Sequence, residues 1–275
     1  MNVGIVAQRD NERATSIAGT LAARLGEDGI GRRFDATTAA ALGRDEEGYA
    51  VESFGDCDLV VSIGGDGTFL FAAHGANGTP ILGVNLGEVG FLNAVGPDEA
   101  ERAVVREIDA YRRGELDVRE VPQVAARADG WTSEPAMNEI VVQGPRRGPG
   151  GGGHVEVSVD GSTYDAGVAD GVLVATPTGS SAYNLSERGP LVHPGVDGLV
   201  VTEMAARDGM PPLLVPSDSD VTVTVRDIEH AVVVSDGRGE HTVETGTTVH
   251  VGLADQPVRL VGPMADFFEA LGKLD

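Results

Sequence analysis

Three stretches of this 275-residue chain carry residue types that could do chemistry. The first is Gly64-Gly65-Asp66-Gly67-Thr68, which follows the apolar run Leu59–Ile63 and precedes Phe69-Leu70-Phe71-Ala72-Ala73. A strand that breaks into a glycine turn at a helix start sets bare backbone N–H groups where an anion can approach. Glycine is expected there because a Cβ would bar positive φ and hold a phosphate away. Thr68 is expected to open the helix. Asp66 is the odd member, since a carboxylate repels phosphate unless it binds a metal, a sugar hydroxyl or a transferring proton. The same corner also reads as a plain strand-turn-helix with Asp66 as its N-cap. The second stretch is Asn138-Glu139 ahead of Ile140-Val141-Val142; an amide beside a carboxylate can read the hydroxyls and amine of a nucleoside, and a solvated turn explains the pair as well. The third runs from Asp170-Gly171 through Thr176-Pro177-Thr178-Gly179-Ser180-Ser181-Ala182-Tyr183-Asn184-Leu185-Ser186. Its hydroxyls cluster at an expected helix N-terminus, which suits a polar or anionic ligand, and Tyr183 could stack on a ring. An N-capped helix with a buried tyrosine is the plainer alternative.

The elements that must position these residues follow from periodicity. Asn2–Ala7 reads as a buried strand, and Ala14, Ile17, Ala18, Leu21, Ala22 and Leu25 after Asn11 trace one helix face, with Gly26 as its expected C-cap. Asp58–Ile63 and Thr79–Val84 are further strands, the latter ending at Asn85-Leu86-Gly87; a helix reaches His74, and another spans Asp98–Tyr111 and closes at Gly114. Strands alternating with helices predict an open, mostly parallel α/β sheet, in which ligands bind beyond the carboxyl ends of the strands. After Gly114 the texture becomes short β-rich runs (116–121, 124–128, 140–142, 155–159, 172–175, 221–225, 231–235, 247–253, 258–261) punctuated by Asp160-Gly161 and Asp236-Gly237. The expected organisation is therefore an α/β unit over 1–114 and a β-rich unit over 115–256. A terminal segment over 257–275 then packs back on the first, with an amphipathic helix from Met264 to Leu274 that turns Phe267, Phe268 and Leu271 inward. Arg146–Gly153 reads as a mobile hairpin loop whose arginines could reach a phosphate.

Composition narrows the classes. Hydrophobic residues make up 41% of the chain, ordinary for a globular protein. No apolar run is long enough for a membrane span, and Met1–Ala7 leads straight into a strand pattern, so a cytoplasmic protein without a leader is expected. Cys57 is the only cysteine, which excludes an internal disulfide or a thiolate metal cluster. With 43 acidic against 20 basic residues the net charge is −23, and Lys273 is the only lysine. Such a charge argues against nucleic acid or an anionic membrane as partner. Spread along the whole chain, it fits a salt-loaded cytoplasm that screens self-repulsion.

The order Gly64-Gly65-Asp66-Gly67-Thr68, Asn85-Leu86-Gly87 with Gly90-Phe91-Leu92, Asn138-Glu139, and Asp170-Gly171 leading to Thr176–Tyr183 resembles that of the NAD kinase family, and in particular its halophilic archaeal members. Glycine-aspartate-glycine motifs are shared with phosphofructokinases and with diacylglycerol and sphingosine kinases; the threonine-proline-threonine-glycine-serine stretch narrows the likeness. The resemblance implies transfer of the γ-phosphoryl of ATP, or of polyphosphate, to the 2′-hydroxyl of the adenosine ribose of NAD, with Mg²⁺ or another divalent cation on the donor. It implies Asp66 as proton acceptor, Gly67 against the dinucleotide, and Gly64, Gly65, Gly67 and Thr68 as the phosphate-donor loop. Asn138 and Glu139 would hold adenosine. Asp170 and the turn Ser181, Ala182, Tyr183, Asn184, Leu185 and Ser186 would take the nicotinamide side or a neighbouring subunit's NAD, with Ala205 lining the same site. A homodimer or homotetramer is implied as well. Phe71 stands where the family often has a basic residue, with His74 one turn later; Ser181 replaces a threonine; Thr202–Pro212 lacks the family's proline-histidine-serine pattern. Two other readings stay open, a lipid kinase of the diacylglycerol or sphingosine type and a catalytically silent NAD-binding regulator.

Overall fold

The structure, a computed structural model, describes residues 1–87, 90–148 and 151–272. The chain divides into two compact units, Met1–Val121 joined by the chain from Pro257 onward, and Pro122–Gln256. The first unit begins with β1 (Asn2–Ala7), α1 (Glu12–Glu27), β2 (Gly31–Asp35), α2 (Ala36–Ala41), β3 (Gly48–Tyr49), β4 (Leu59–Ile63), α3 (Asp66–Ala76), β5 (Ile81–Val84), α4 (Ala100–Arg113) and β6 (Arg119–Val121). The second contains β7 (Val124–Ala128), β8 (Trp131–Thr132), β9 (Glu139–Gln143), β10 (Gly153–Val159), β11 (Ser162–Ala169) and β12 (Gly171–Ala175). It continues with α5 (Tyr183–Ser186), β13 (Leu199–Met204), β14 (Leu213–Val215), β15 (Val221–Arg226), β16 (His230–Ser235), β17 (Arg238–Glu244) and β18 (Thr248–Leu253). β19 (Val258–Val261) and α6 (Phe267–Leu271) then belong to the first unit.

In the first unit the sheet order is β3-β2-β1-β4-β5-β19-β6. Every pairing is parallel except β19 with β6 at the edge. Val3, Ile5, Val60, Val61 and Ile63 are buried, as strands covered on both faces require, so β1 and β4 read as largely apolar runs, with Ser62 the one polar residue inside β4. Helix α1 buries Ala14, Ala18, Leu21, Ala22 and Leu25, and the Asn11 side chain accepts the Arg13 and Ala14 N–H groups at 3.1 Å each. The helix runs on through Gly26, the expected cap, and the left-handed turn falls instead at Gly29 (φ 66°). Gly114 does end α4, at φ 69°. The first unit, however, continues past Gly114 to Val121, because residues 119–121, expected in the β-rich unit, pair with β19. Helix α6 is shorter than the expected Met264–Leu274 segment, whose Leu274 lies outside the described residues. Phe267 packs on Phe91, with ring centroids 5.9 Å apart, whereas Phe268 is 73% exposed rather than turned inward.

The second unit is two six-stranded antiparallel sheets, β11-β10-β15-β18-β7-β8 and β14-β13-β12-β9-β16-β17. Val155, Val157, Val223 and Val225 of one meet Ile140, Val142, Val172 and Val174 of the other in a shared core. The opposite face of β9 and β12 is buried too, with Val141, Leu173 and Ala175 packed beside Val192 and Met204. Both faces being covered explains why these two strands lack polar alternation.

Candidate active site

The first unit places Asp66 at the carboxyl end of β4, where the direction of strand order reverses around β1. Helix α3 starts at Asp66, two residues before the expected Thr68, and its N-cap is Gly65 (φ −87°, ψ −176°), not Asp66. The Asp66 carboxylate is thus released from capping. Its Oδ1 instead accepts the Leu92 N–H at 3.3 Å and the Asn93 Nδ2 at 3.2 Å, both on a loop beyond β5. Positive φ is not the reason for the three glycines, because none of them has it. Gly64 is there for space: a Cβ would sit 2.5 Å from Thr68 Oγ1 and 3.0 Å from Gln8 Cβ. At Gly65 and Gly67 a Cβ would meet nothing within 4 Å. These two flank Asp66 with bare, open backbone, the property a phosphate or ribose needs for close approach.

Beside this turn, Asn85 is 4% exposed; its Oδ1 accepts the Gly87 N–H at 2.9 Å and its Nδ2 donates to the Asn93 carbonyl at 3.3 Å. Gly87 takes φ 133°, so here the glycine is required by the backbone. The loop is closed over by Arg13, whose Nη1 donates to the Leu86 carbonyl at 2.9 Å. His74 belongs to helix α3, where Nδ1–H donates to the Leu70 carbonyl at 2.7 Å.

In the second unit, Asn138 and Glu139 lie at the start of β9 and the hydroxyl-rich turn lies after β12; the register Ala175 opposite Glu139 brings the two together. Thr176 fastens them: its N–H donates to the Asn138 carbonyl at 2.9 Å and its Oγ1 to the Met137 carbonyl at 2.6 Å. Asp236, foreseen only as a hairpin residue, holds the other side. With Gly237 it forms the tight turn between β16 and β17, both residues at positive φ (47° and 68°). Its carboxylate accepts the N–H groups of Met137, Asn138 and Glu139 at 2.8, 2.8 and 3.1 Å. Arg238 stands next in this hairpin, as β17 begins.

Glu139 is only 6% exposed, and its Oε2 is buried with no hydrogen-bond partner among the described residues. Burial first, then the neighbouring Asp236 carboxylate, lifts its carboxyl to about 8, against the opposing Tyr183 backbone N–H. The unfolded chain ionises Glu139 at the ordinary carboxylate value while the folded protein keeps the proton, so folding takes up a proton across that window. Stability from this group is full below the unfolded value and declines as pH rises toward about 8. Glu139→Gln removes the titration: its melting temperature should fall less than that of the parent between about pH 5 and about pH 8, with its relative gain largest above that range.

The expected helix after Ser181 is the single turn α5, preceded by a 3₁₀ turn over Thr178–Ser181, so a helix-dipole argument for an anion does not hold there. Ser180 and Asn184 face inward. Ser180 Oγ donates to the Pro177 carbonyl at 2.7 Å and accepts the Val192 N–H at 2.9 Å. Asn184, 0% exposed, donates to the Ser180 and Pro190 carbonyls and accepts from Thr202 Oγ1. Its side chain is engaged in holding the turn. Ser181, Ala182, Tyr183 and Leu185 are half-buried and Ser186 is exposed, so these present the accessible side of the turn.

Asp170 and Ala205 sit at the other end of β12, roughly 20 Å along the strand from Thr176 at about 3.3 Å per residue. Two residues of the Arg146–Gly148 loop connect the groups. Arg147 stacks 5.6 Å from the Tyr183 ring centroid and donates to its hydroxyl at 2.8 Å, while the Gly148 N–H donates to Asp170 Oδ2 at 2.7 Å. This part of the expected mobile loop is therefore anchored, and Pro149 and Gly150 lie outside the described residues. Near Ala205, burial and then the adjacent Asp165 carboxyl raise Glu203 to about 7. Asp165 is held low chiefly by the Met210 N–H at 2.9 Å, which ties down the segment that departs from the family pattern.

A glycine-flanked carboxylate at the carboxyl end of an inner parallel strand, in a chain whose second unit carries an amide beside a buried carboxyl, suits phosphoryl transfer to a hydroxyl, the chemistry of a phosphotransferase. Residues 3–109 match the model of the ATP-NAD kinase N-terminal domain and residues 137–262 that of the ATP-NAD kinase C-terminal domain. NAD kinases of Halorubrum lacusprofundi and Halobacterium salinarum are 58% and 56% identical to this chain, each over the whole of both proteins. The chain belongs to the NAD kinase family. Among solved structures, yeast NADH kinase complexed with NADH shares the fold with a TM-score of 0.85 at 21% identity, over 100% of this chain and 87% of that one. An Archaeoglobus fulgidus NAD kinase in complex with ATP gives 0.78 at 24% identity, over 100% and 98%. The lipid-kinase and silent-regulator readings find no support in these matches.

Proposed function

We propose that the protein transfers the γ-phosphoryl group of ATP to the 2′-hydroxyl of the adenosine ribose of NAD, giving NADP and ADP. The ribose oxygen forms the new P–O bond, the bond to the β-phosphate bridging oxygen breaks, and the hydroxyl proton passes to Asp66. The observation that carries this reading is the Asp66 carboxylate itself, relieved of capping, held through Oδ1 and flanked by the open backbone of Gly65 and Gly67. A carboxylate so placed can orient an attacking hydroxyl and take its proton. Gly64, Gly65, Gly67 and Thr68 serve the donor phosphates. In the second unit Asn138 and Glu139 take the adenosine portion, and Asp170, Ser181, Ala182, Tyr183, Leu185, Ser186 and Ala205 take the nicotinamide side or a neighbouring subunit's NAD. Asn184 acts by holding that turn in shape.

No group of three or more His, Cys, Asp or Glu side chains suited to a metal occurs among the described residues. A Mg²⁺ or another divalent cation would ride on the donor's own phosphates and neutralise their charge. The protein is proposed to be cytoplasmic and to work as a homodimer or homotetramer; no described helix is long and apolar enough to cross a membrane. The decisive experiment measures NADP formed from NAD, ATP and Mg²⁺ in concentrated KCl, with NADH and polyphosphate in parallel arms. Absence of NADP in the arm with NAD and ATP, from a folded protein, would refute the reading; the NADH arm would yield NADPH.

The net charge of −23 is read as an adaptation to salt. The Debye length falls from about 10 Å at 0.1 M to about 3 Å at 1 M, which silences repulsion between neighbouring carboxylates. Melting temperature and NADP formation should both rise over that range of KCl. A protein equally stable at both ends would remove the salt argument.

A further inference from the structure

We infer that Asn93 is a positioning residue for the proton acceptor: its side-chain amide, with the Leu92 N–H, fixes Asp66 by Oδ1 and leaves Oδ2 for the substrate hydroxyl. The inference rests on the Asp66 reading above and extends it to a residue on another element. Asn93 is 0% exposed, and its Nδ2 lies 3.2 Å from Asp66 Oδ1. An ionised carboxylate only accepts, so the amide must present nitrogen to it. The consequence is visible on the other side of the same group. Asn93 Oδ1 is buried with no hydrogen-bond partner among the described residues. An apolar residue of that shape would fill the space without an unpaired acceptor, so the amide is retained for the donor it turns toward Asp66.

The surroundings hold the amide in that pose. Gly83, in the middle of β5, leaves room for the loop to press on the strand: a Cβ there would stand 2.5 Å from Asn93 Oδ1 and 2.6 Å from the Leu92 carbonyl. The Asn93 carbonyl accepts from Asn85 Nδ2 at 3.3 Å. Two residues before Asn93, the Phe91 ring packs on Phe267 of α6, so the end of the chain braces the same loop.

The test compares Asn93→Ala and the isosteric Asn93→Asp with the parent in steady-state kinetics, NAD binding and thermal melting. A positioning role predicts kcat lower by about 10- to 100-fold with the dissociation constant for NAD little changed. The acid introduced by Asn93→Asp donates only when protonated, so its kcat relative to the parent should recover as pH is lowered from about 8 to about 6. Full kcat in either variant overturns the inference. So does a loss of kcat that follows NAD affinity and melting in both, or an Asn93→Asp deficit that ignores pH. The underlying reading fails separately: NADP formation undiminished by Asp66→Asn would sink it whatever the Asn93 variants do.

Discussion

Asp66→Asn is expected to give a folded protein that binds NAD and forms almost no NADP. The substitution keeps the shape of the side chain. Its carbonyl oxygen can still accept from the Leu92 N–H and Asn93 Nδ2, so the loop beyond β5 keeps its anchor. The second position changes from an acceptor to an NH₂ donor and can no longer take a hydroxyl proton. Loss of a positioned general base costs about 10²- to 10⁴-fold in rate, or about 3–5 kcal/mol of barrier. The stability cost is small by comparison: a negative charge in the first turn of α3 contributes about 0.3–1 kcal/mol. Turnover and melting should therefore separate cleanly, with kcat collapsing, NAD titrations near normal and the melting temperature down slightly. Parent-like NADP formation would remove Asp66 from the mechanism.

The difference between what the sequence disclosed and what it hid follows the range of the interactions concerned. β4, the glycine turn and α3 are local: four apolar residues around one serine, a break, then a helix. The start of α3 differs from the expected Thr68 because an extended Gly65 takes the N-cap position, and glycine carries no side chain to advertise it. β2 has no periodic signature, because Gly31-Arg32-Arg33-Phe34-Asp35 holds one apolar side chain and its strand character comes from pairing with β1. There Arg33 lies 5.3 Å from the Tyr49 ring centroid and donates to the Ser53 carbonyl, so a charged residue is accommodated in the strand next to the edge. Asn93 lies 27 positions from Asp66, and nothing near it in sequence announces the contact. The one available sign was Gly83, a glycine inside an apolar strand, which signals close approach of another backbone. Asp236 was legible as a turn residue, yet its hold on residues 137–139 spans nearly a hundred positions. The length of α5 was equally hidden: Arg188 at φ 65° and the Asn184 bond to the Pro190 carbonyl stop it after one turn.

Two glycine-to-alanine substitutions should have opposite effects on stability and a common effect on the reaction. At Gly179 a Cβ would stand 2.1 Å from the Asn138 carbonyl oxygen and 2.5 Å from its carbon. Those atoms are backbone, and the same carbonyl already accepts the Thr176 N–H. Relief requires prying the start of β9 from the end of β12. Forced overpacking of this kind costs about 1–3 kcal/mol or more, which for a chain of this length lowers the melting temperature by several degrees, roughly 2–4 °C per kcal/mol. Because the displaced atoms belong to Asn138, KM for NAD should rise as well. Gly67 is the reverse case. It lies in the first turn of α3 with no positive φ, and a Cβ meets nothing within 4 Å. Alanine there improves helix propensity by up to about 1 kcal/mol, so melting should hold or rise. If the open space belongs to the dinucleotide, the methyl intrudes on it, and kcat/KM should fall although the protein is no less stable. Melting curves and NAD kinetics on the two variants separate a glycine that the fold needs from one that the substrate needs. Unchanged kinetics for Gly67→Ala would mean that the space over this residue is not where the ribose lies.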